Sequence, residues 1–223
     1  MKSNLFKRII TSIVLLIILS FCLINNKYLW LILLAITSII SLYEFNELIR
    51  KAFKNKNKLI YLFQITNILF FTSFIIVGYK AYNSPPVGII FVILICIFSD
   101  TGGYIVGKLL GGKKLTKISP NKTISGSFGS FIFSLFPLII FFIIYPSTEN
   151  LSLNIKNLIS IIFVSLFLSF VCQAGDLLVS YFKRKAKVKD TGSILPGHGG
   201  LLDRIDGMIF ALPAAYIIDK TLF

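Results

Sequence analysis

Long apolar runs broken by short basic segments constrain this chain more than any other feature. Blocks at 9–24, 28–43, 59–77, 87–98, 128–145, 155–173 and 205–218 hold almost no ionisable side chain. Hydrophobic residues make up 56% of the 223 residues, above the roughly 45–50% of soluble domains. The excess is concentrated in these blocks, which is the mark of membrane-spanning helices. The pattern predicts an all-α, polytopic transmembrane helix bundle of about seven spans. Several blocks fall short of the ~20 residues needed to cross a ~30 Å hydrocarbon core, so flanking residues must extend them. The fourth block has two readings. It continues through Ser99–Leu110 as one long helix that carries Asp100 into the membrane, or it stops at Ser99 and a half-helix follows near 99–112.

Basic residues set the orientation. With a cytoplasmic N-terminus, the inside segments hold nineteen Lys and Arg and the outside segments only Lys27, Lys80, Lys156 and Lys220. That asymmetry predicts a multi-pass protein of the cell (inner) membrane with its N-terminus and its charged loops facing the cytoplasm. The segments Asn83–Pro86 and Pro146–Asn154 read as short external loops, rich in turn formers. Lys7 and Arg8 before the first block imitate a signal peptide, but no small-x-small cleavage site follows, so an uncleaved first span is expected.

The formal charge of +14 favours anionic partners such as lipid headgroups and nucleotides. Nucleic acid is not expected, because most of the basic residues lie in short loops between apolar blocks. Cys22, Cys96 and Cys172 all lie inside apolar blocks without metal-ligand spacing and read as small buried residues. Glu44 and Glu47, at the end of the second block, read as a solvated helix end.

The second half is different. Asp100, Asp176, Asp190, Asp203 and Asp206 stand at or between the cytoplasmic ends of spans. Acids beside a membrane span are costly and mark function when they face a wet cavity. Asp203 and Asp206 are spaced i, i+3, which places both carboxylates on one face if the chain is helical from Leu202. Paired carboxylates repel unless a cation lies between them, and hard oxygen ligands suit Mg²⁺ or Mn²⁺. Arg204 beside them offers a planar fork matched to phosphate. Before the pair runs Pro196-Gly197-His198-Gly199-Gly200, a segment whose backbone N–H groups can form an anion nest around the chain's single histidine. Lys183, Arg184, Lys185, Lys187 and Lys189 precede it as a basic loop. A second glycine-rich stretch, Gly102, Gly103, Gly107, Gly111 and Gly112, matches no Walker A loop and reads either as phosphate binding or as close helix packing.

These residues resemble a known family. Ser180-x-x-Lys183-Arg184, four residues, Lys189-Asp190-x-Gly192, then Pro196-Gly197-His198-Gly199-Gly200-x-x-Asp203-Arg204-x-Asp206 is similar to the signature of the phosphatidate cytidylyltransferases, the CDP-diacylglycerol synthases, with every fixed position and gap kept over 27 residues. Gly175-Asp176-Leu177, Ser119-Pro120-Asn121-Lys122-Thr123 and Ser99-Asp100-Thr101-Gly102 also look like family motifs. The likeness runs from Ser99 to Gly207; the segment before it matches in hydropathy alone. Two positions depart from the family pattern: Ser125 stands where an acid is usual and Gly207 where a serine is usual.

The resemblance implies transfer of CMP from CTP to phosphatidate, giving CDP-diacylglycerol and pyrophosphate. It implies Mg²⁺ dependence, with a second, monovalent cation such as K⁺ at a paired site, and it brings a homodimer into consideration. On this reading residues 1–98 are N-terminal membrane helices and 99–223 the catalytic membrane region. Asp176, Asp203 and Asp206 are the expected metal ligands. Lys122, Lys183, Arg184, Lys189 and Arg204 are expected on phosphates, with His198, Gly197, Gly199 and Gly200 lining them. Ser119, Thr123 and Ser180 are expected at the substrate, and Asp190 orients the basic loop. A CTP-using lipid kinase, a transporter and an inactive homologue are the rival readings.

Overall fold

The computed structural model describes residues 2–54, 56–83, 86–144 and 155–222. The expected external loops at Asn83–Pro86 and Pro146–Asn154 lie wholly or partly outside them. Every regular element among the described residues is a helix: α1 (Lys2–Asn25), α2 (Lys27–Ala52), α3 (Asn57–Lys80), α4 (Val87–Leu110), α5 (Ile124–Phe133), α6 (Phe136–Ile144), α7 (Ile155–Lys185), α8 (Leu202–Ile205) and α9 (Met208–Leu222). Six apolar stretches are long enough to cross a membrane, with α5 and α6 together counting as one; the apolar part of α9, Met208–Ile218, is shorter. The fold is the polytopic helical bundle that the hydropathy predicts.

The fourth block resolves in favour of one helix. α4 runs unbroken from Val87 to Leu110 through Asp100 and stops where Gly111 turns to φ +59°. The fifth block, by contrast, is split. Pro137 has no N–H to return to Phe133 and its ring crowds the preceding turn, so the helix breaks at Ser134 and Leu135 and restarts at Phe136.

The chain divides into two compact units. One comprises Met1–Gly88 with Leu178–Asp206. Here α1 and α2 form a hairpin through Asn26, whose side chain accepts from the Tyr28 N–H at 2.8 Å and caps α2. Trp30 donates to the Gly78 carbonyl at 2.9 Å and Tyr82 to the Leu23 carbonyl at 3.0 Å, so these two bonds tie α1, α2 and the α3 end together. Leu48, Ile49 and Phe182 form a core with Phe45, Phe53 and Phe63 around it. Phe182 lies 5.2 Å from Phe45 and 5.7 Å from Phe63 in edge contacts, each worth about 0.5–1.5 kcal/mol beyond area burial. That cluster fixes the C-terminal turns of α7, which carry Lys183.

The other unit comprises Ile89–Leu177 with Gly207–Phe223. Val92, Ile95, Cys96, Leu168, Cys172 and Ala211 are its buried core. Ser99 and Ser169 share a buried hydrogen bond at 2.8 Å. Glycines let α4 and α5 touch backbone to backbone: a Cβ on Gly129 would come within 2.8 Å of the Gly102 carbonyl, and one on Gly126 within 2.7 Å of the Gly103 carbonyl. The packing reading of this glycine stretch therefore holds for Gly102, Gly103 and Gly107.

Candidate functional site

The expected site residues fall into two groups, one in each unit. In the unit spanning Ile89–Leu177, the segment between α4 and α5 folds back as a short hairpin, with Leu115 N–H to the Lys122 carbonyl at 2.8 Å and Ile124 N–H to the Lys113 carbonyl at 3.0 Å. Thr123 caps α5 by accepting from Gly126 N–H at 3.0 Å. This places Ser119, Asn121, Lys122 and Thr123 on the wall of a cavity of about 300 Å³, opposite Asp100 and Gly103 of α4 and Gln173 and Asp176 of α7. Lys122 and Asp176 form an ion pair. The Ser127 hydroxyl donates to Gln173 at 2.6 Å and orients the amide. Gly103 both packs against α5 and lines the cavity. Ser125, which replaces the family's usual acid, bonds Thr123 at 3.0 Å and the Gly111 carbonyl; its hydroxyl braces the hairpin rather than lining the cavity.

The second group lies in the unit that holds Leu178–Asp206. The glycine loop is closed by Leu195 N–H to the Gly199 carbonyl at 2.9 Å and His198 N–H to the Leu195 carbonyl at 3.0 Å. Gly197 and Gly199 take φ of +77° and +86°, a region that only glycine enters without strain. Asp203 lies at the centre. One carboxylate oxygen accepts from Lys183 at 2.7 Å; the other accepts from Thr191 N–H at 2.8 Å and Gly200 N–H at 3.1 Å and meets the Thr191 hydroxyl at 3.0 Å. Its side chain is 6% exposed. A metal at Asp203 would share Oδ1 with the Lys183 ammonium, because the donors from Thr191 and Gly200 occupy Oδ2. Arg204 donates to the His198 carbonyl at 3.2 Å. Gly199 packs against Asp190. Asp206 ends the four-residue helix α8 in helical geometry. Ser180 is buried, whereas Arg184, Lys189 and Asp190 are exposed.

Glu44 corrects the sequence reading. Glu47 is the solvated helix-end acid that was expected, paired with Arg50 at 3.2 Å. Glu44 is 2% exposed. Its carboxylate accepts from the Thr191 hydroxyl at 2.9 Å, Leu201 N–H at 3.0 Å and Leu202 N–H at 2.9 Å. A Cβ on Gly192 or Gly200 would come within 2.6 or 2.5 Å of that carboxylate, so both glycines are needed for the close approach. The Thr191 hydroxyl has one proton for two carboxylates, Glu44 and Asp203.

α1 reaches the same loop. Arg8 donates to the Gly197 carbonyl at 2.7 Å and Thr11 to the Pro196 carbonyl at 3.1 Å, and the Ser12 hydroxyl lies 3.5 Å from His198 Nε2. Burial, then the charges of Arg204 and Arg8, lower the His198 pKa from its ordinary 6.5, so the ring is neutral at neutral pH. Its contribution to stability is complete above 6.5 and fades as pH falls toward the lowered value.

No group of three or more His, Cys, Asp or Glu side chains able to hold a metal forms among the described residues. Asp100 and Asp176, with hydroxyl and amide oxygens beside them, nonetheless fit Mg²⁺, which keeps waters and takes one or two carboxylates plus substrate phosphates.

Residues 62–222 match the cytidylyltransferase family. A phosphatidate cytidylyltransferase from Staphylococcus haemolyticus (strain JCSC1435) is 46% identical over 132 residues, which cover 58% of this chain and 48% of that protein. Proteins of the same name from Staphylococcus epidermidis (strain ATCC 12228 / FDA PCI 1200) and Staphylococcus aureus (strain COL) are 47% and 44% identical over stretches of the same length and coverage. The chain spans about half the length of the curated relatives it matches.

Proposed function

Because this chain belongs to the cytidylyltransferase family, we propose that it transfers CMP from CTP to phosphatidate, forming CDP-diacylglycerol and pyrophosphate. The observation that carries this reading is the cavity where Asp100, Asp176 and Lys122 meet the Ser119–Thr123 segment: two carboxylates for a hard metal, a cation for phosphate and neutral oxygens between.

The chemistry asks little of a general base. A phosphate monoester is anionic at neutral pH, so a lipid phosphate oxygen attacks the α-phosphorus of CTP directly; the new P–O bond forms as the α–β bridging bond breaks and pyrophosphate leaves. The obstacle is repulsion between two polyanions, and charge neutralisation with in-line positioning removes it. Mg²⁺, when bound, would supply Lewis-acid polarisation of phosphoryl oxygens. Asp176 and Asp100 would hold it. Lys122 stays beside Asp176 to receive phosphate oxygens as the ammonium exchanges carboxylate for substrate. In the other unit Arg184, Lys189 and Arg204 are exposed cations, and Lys189 and Arg204 would meet phosphates. Lys183 would not, since it is only 13% exposed and committed to Asp203.

The test is incubation of the purified chain with labelled CTP, phosphatidate and Mg²⁺, followed by lipid extraction. The expected products are CDP-diacylglycerol and pyrophosphate, with turnover stopped by EDTA and restored by Mg²⁺. Release of CDP and a phosphorylated lipid alcohol would show a lipid kinase instead.

The orientation follows from the basic-residue asymmetry. A cysteine placed at Lys117, in the exposed hairpin before α5, is expected to react with a membrane-impermeant maleimide in inverted vesicles and not in intact cells. Labelling in intact cells would reverse the topology.

A further inference from the structure

Arg8 stands at the start of the apolar stretch of α1, where the positive-inside rule explains its sign and nothing more. Its contacts ask for more. Arg8, Thr11 and Ser12 lie on one helix face at i, i+3 and i+4, and all three meet the loop Pro196–His198. Arg8 holds the Gly197 carbonyl through Nε at 2.7 Å, and Arg204 holds the next carbonyl, His198, through Nη2 at 3.2 Å. Each guanidinium has spent one nitrogen on the loop. Both terminal nitrogens of Arg8 and two nitrogens of Arg204 remain, in the planar geometry that matches phosphate oxygens.

Neither arginine has a carboxylate within ion-pair distance among the described residues. Two cations braced on adjacent carbonyls repel each other unless an anion joins them. His198 Nδ1 is buried and has no hydrogen-bond partner. A buried polar atom left unmade is costly, and with Nε2 facing the Ser12 hydroxyl the ring proton can reside on Nδ1 as a donor.

We propose that Arg8 and Arg204 form a two-arginine clamp for a phosphoryl group, with His198 Nδ1 as a third donor, so that the first helix contributes directly to substrate binding. The inference rests on the CMP-transfer reading for the identity of its ligands, which share one chemistry: the phosphate monoester of a lipid headgroup or the triphosphate of the nucleotide.

The full chain in detergent–phosphatidate micelles is assayed for CDP-lipid formation as wild type, Arg8→Gln and Arg8→Lys, varying each substrate in turn. Folding is followed through Trp30, the chain's single tryptophan. Loss of a charged hydrogen-bonding partner is expected to raise one KM by about 10- to 100-fold in Arg8→Gln, with a smaller rise in Arg8→Lys, which keeps the charge and loses the fork. A rise confined to phosphatidate assigns the clamp to the lipid headgroup; one confined to CTP assigns it to the nucleotide. Unchanged KM values for both substrates overturn the proposal, even if kcat falls, because a brace for the loop alone would act that way. If Arg8→Gln fails to fold, Arg8→Lys carries the same comparison. If the wild type forms no CDP-lipid, it is the functional reading that fails. Equilibrium dialysis with labelled pyrophosphate then decides the clamp: weaker binding in Arg8→Lys than in wild type sustains it, and equal binding removes it.

Discussion

Glu44→Ala is expected to bring CMP transfer down by at least about 100-fold, because two buried backbone N–H groups lose their acceptor together, at roughly 1–3 kcal/mol each, and the Thr191 hydroxyl is left with Asp203 alone. The three donors come from Thr191, Leu201 and Leu202, at the two ends of the glycine loop. The site is 2% exposed, so bulk water does not replace the carboxylate, and the loop is expected to shift toward new partners. The movement carries His198 and Arg204 with it. Glu44→Gln is expected to lie between, since the amide keeps one acceptor oxygen but turns an NH₂ group toward a donor. Glu44→Asp is one methylene short of the same partners and is expected to resemble the alanine variant. The checks are initial rates at saturating CTP and phosphatidate, together with the thermal transition read through Trp30. Half of the wild-type rate in Glu44→Ala would mean that the loop holds its shape without this carboxylate.

Glu44 also shows where sequence reasoning stops. An acid near the basic end of an apolar helix looks like a solvated cap, and for Glu47 that reading holds. What separates the two is register. The buried residues of α2 are Trp30, Leu34, Ser38, Ser41, Glu44, Leu48 and Ile49, a stripe spaced by three and four, and Glu44 falls on it whereas Glu47 does not. The stripe was legible in principle. The partner was not, because Thr191 and Leu202 lie 147 and 158 residues away and nothing local announces them. The apolar blocks were legible because hydrocarbon admits only helices at that length. The continuity of α4 through Asp100 was not, since periodicity does not say whether a glycine pair ends a helix or packs it; the close approach of α5 at Gly129 and Gly126 decides it. The signature from Ser180 to Asp206 marked which residues matter. It did not say which of its charges face substrate and which are used up inside the protein. Spacing gives a carboxylate's position along the chain, while its free valence depends on donors brought in from elsewhere.

Asp203 makes that distinction measurable. Asp203→Ala is expected to destabilise the chain by about 3–5 kcal/mol, the usual cost of leaving one partner of a buried ion pair uncompensated. Lys183 would remain 13% exposed with no counter-charge, and the N–H groups of Thr191 and Gly200 would lose their acceptor. Most single-domain proteins have only about 5–15 kcal/mol to lose, so transfer activity should fall with the folded fraction. The separate question is whether Asp203 also holds metal. A carboxylate whose loss weakens metal binding can be compensated by mass action, whereas one that holds the fold cannot. Raising Mg²⁺ about tenfold is therefore expected to recover part of the activity of Asp176→Asn, whose carboxylate opens on the cavity, and none of that of Asp203→Asn. Removing Lys183 together with Asp203, as Lys183→Met with Asp203→Leu, should restore much of the stability that either single change costs, because a buried pair replaced by apolar side chains of similar volume is often neutral. The Thr191 and Gly200 N–H groups keep the recovery incomplete. Recovery of Asp203→Asn activity by added Mg²⁺ would return Asp203 to the metal and make the Lys183 pair a resting arrangement that substrate and metal displace.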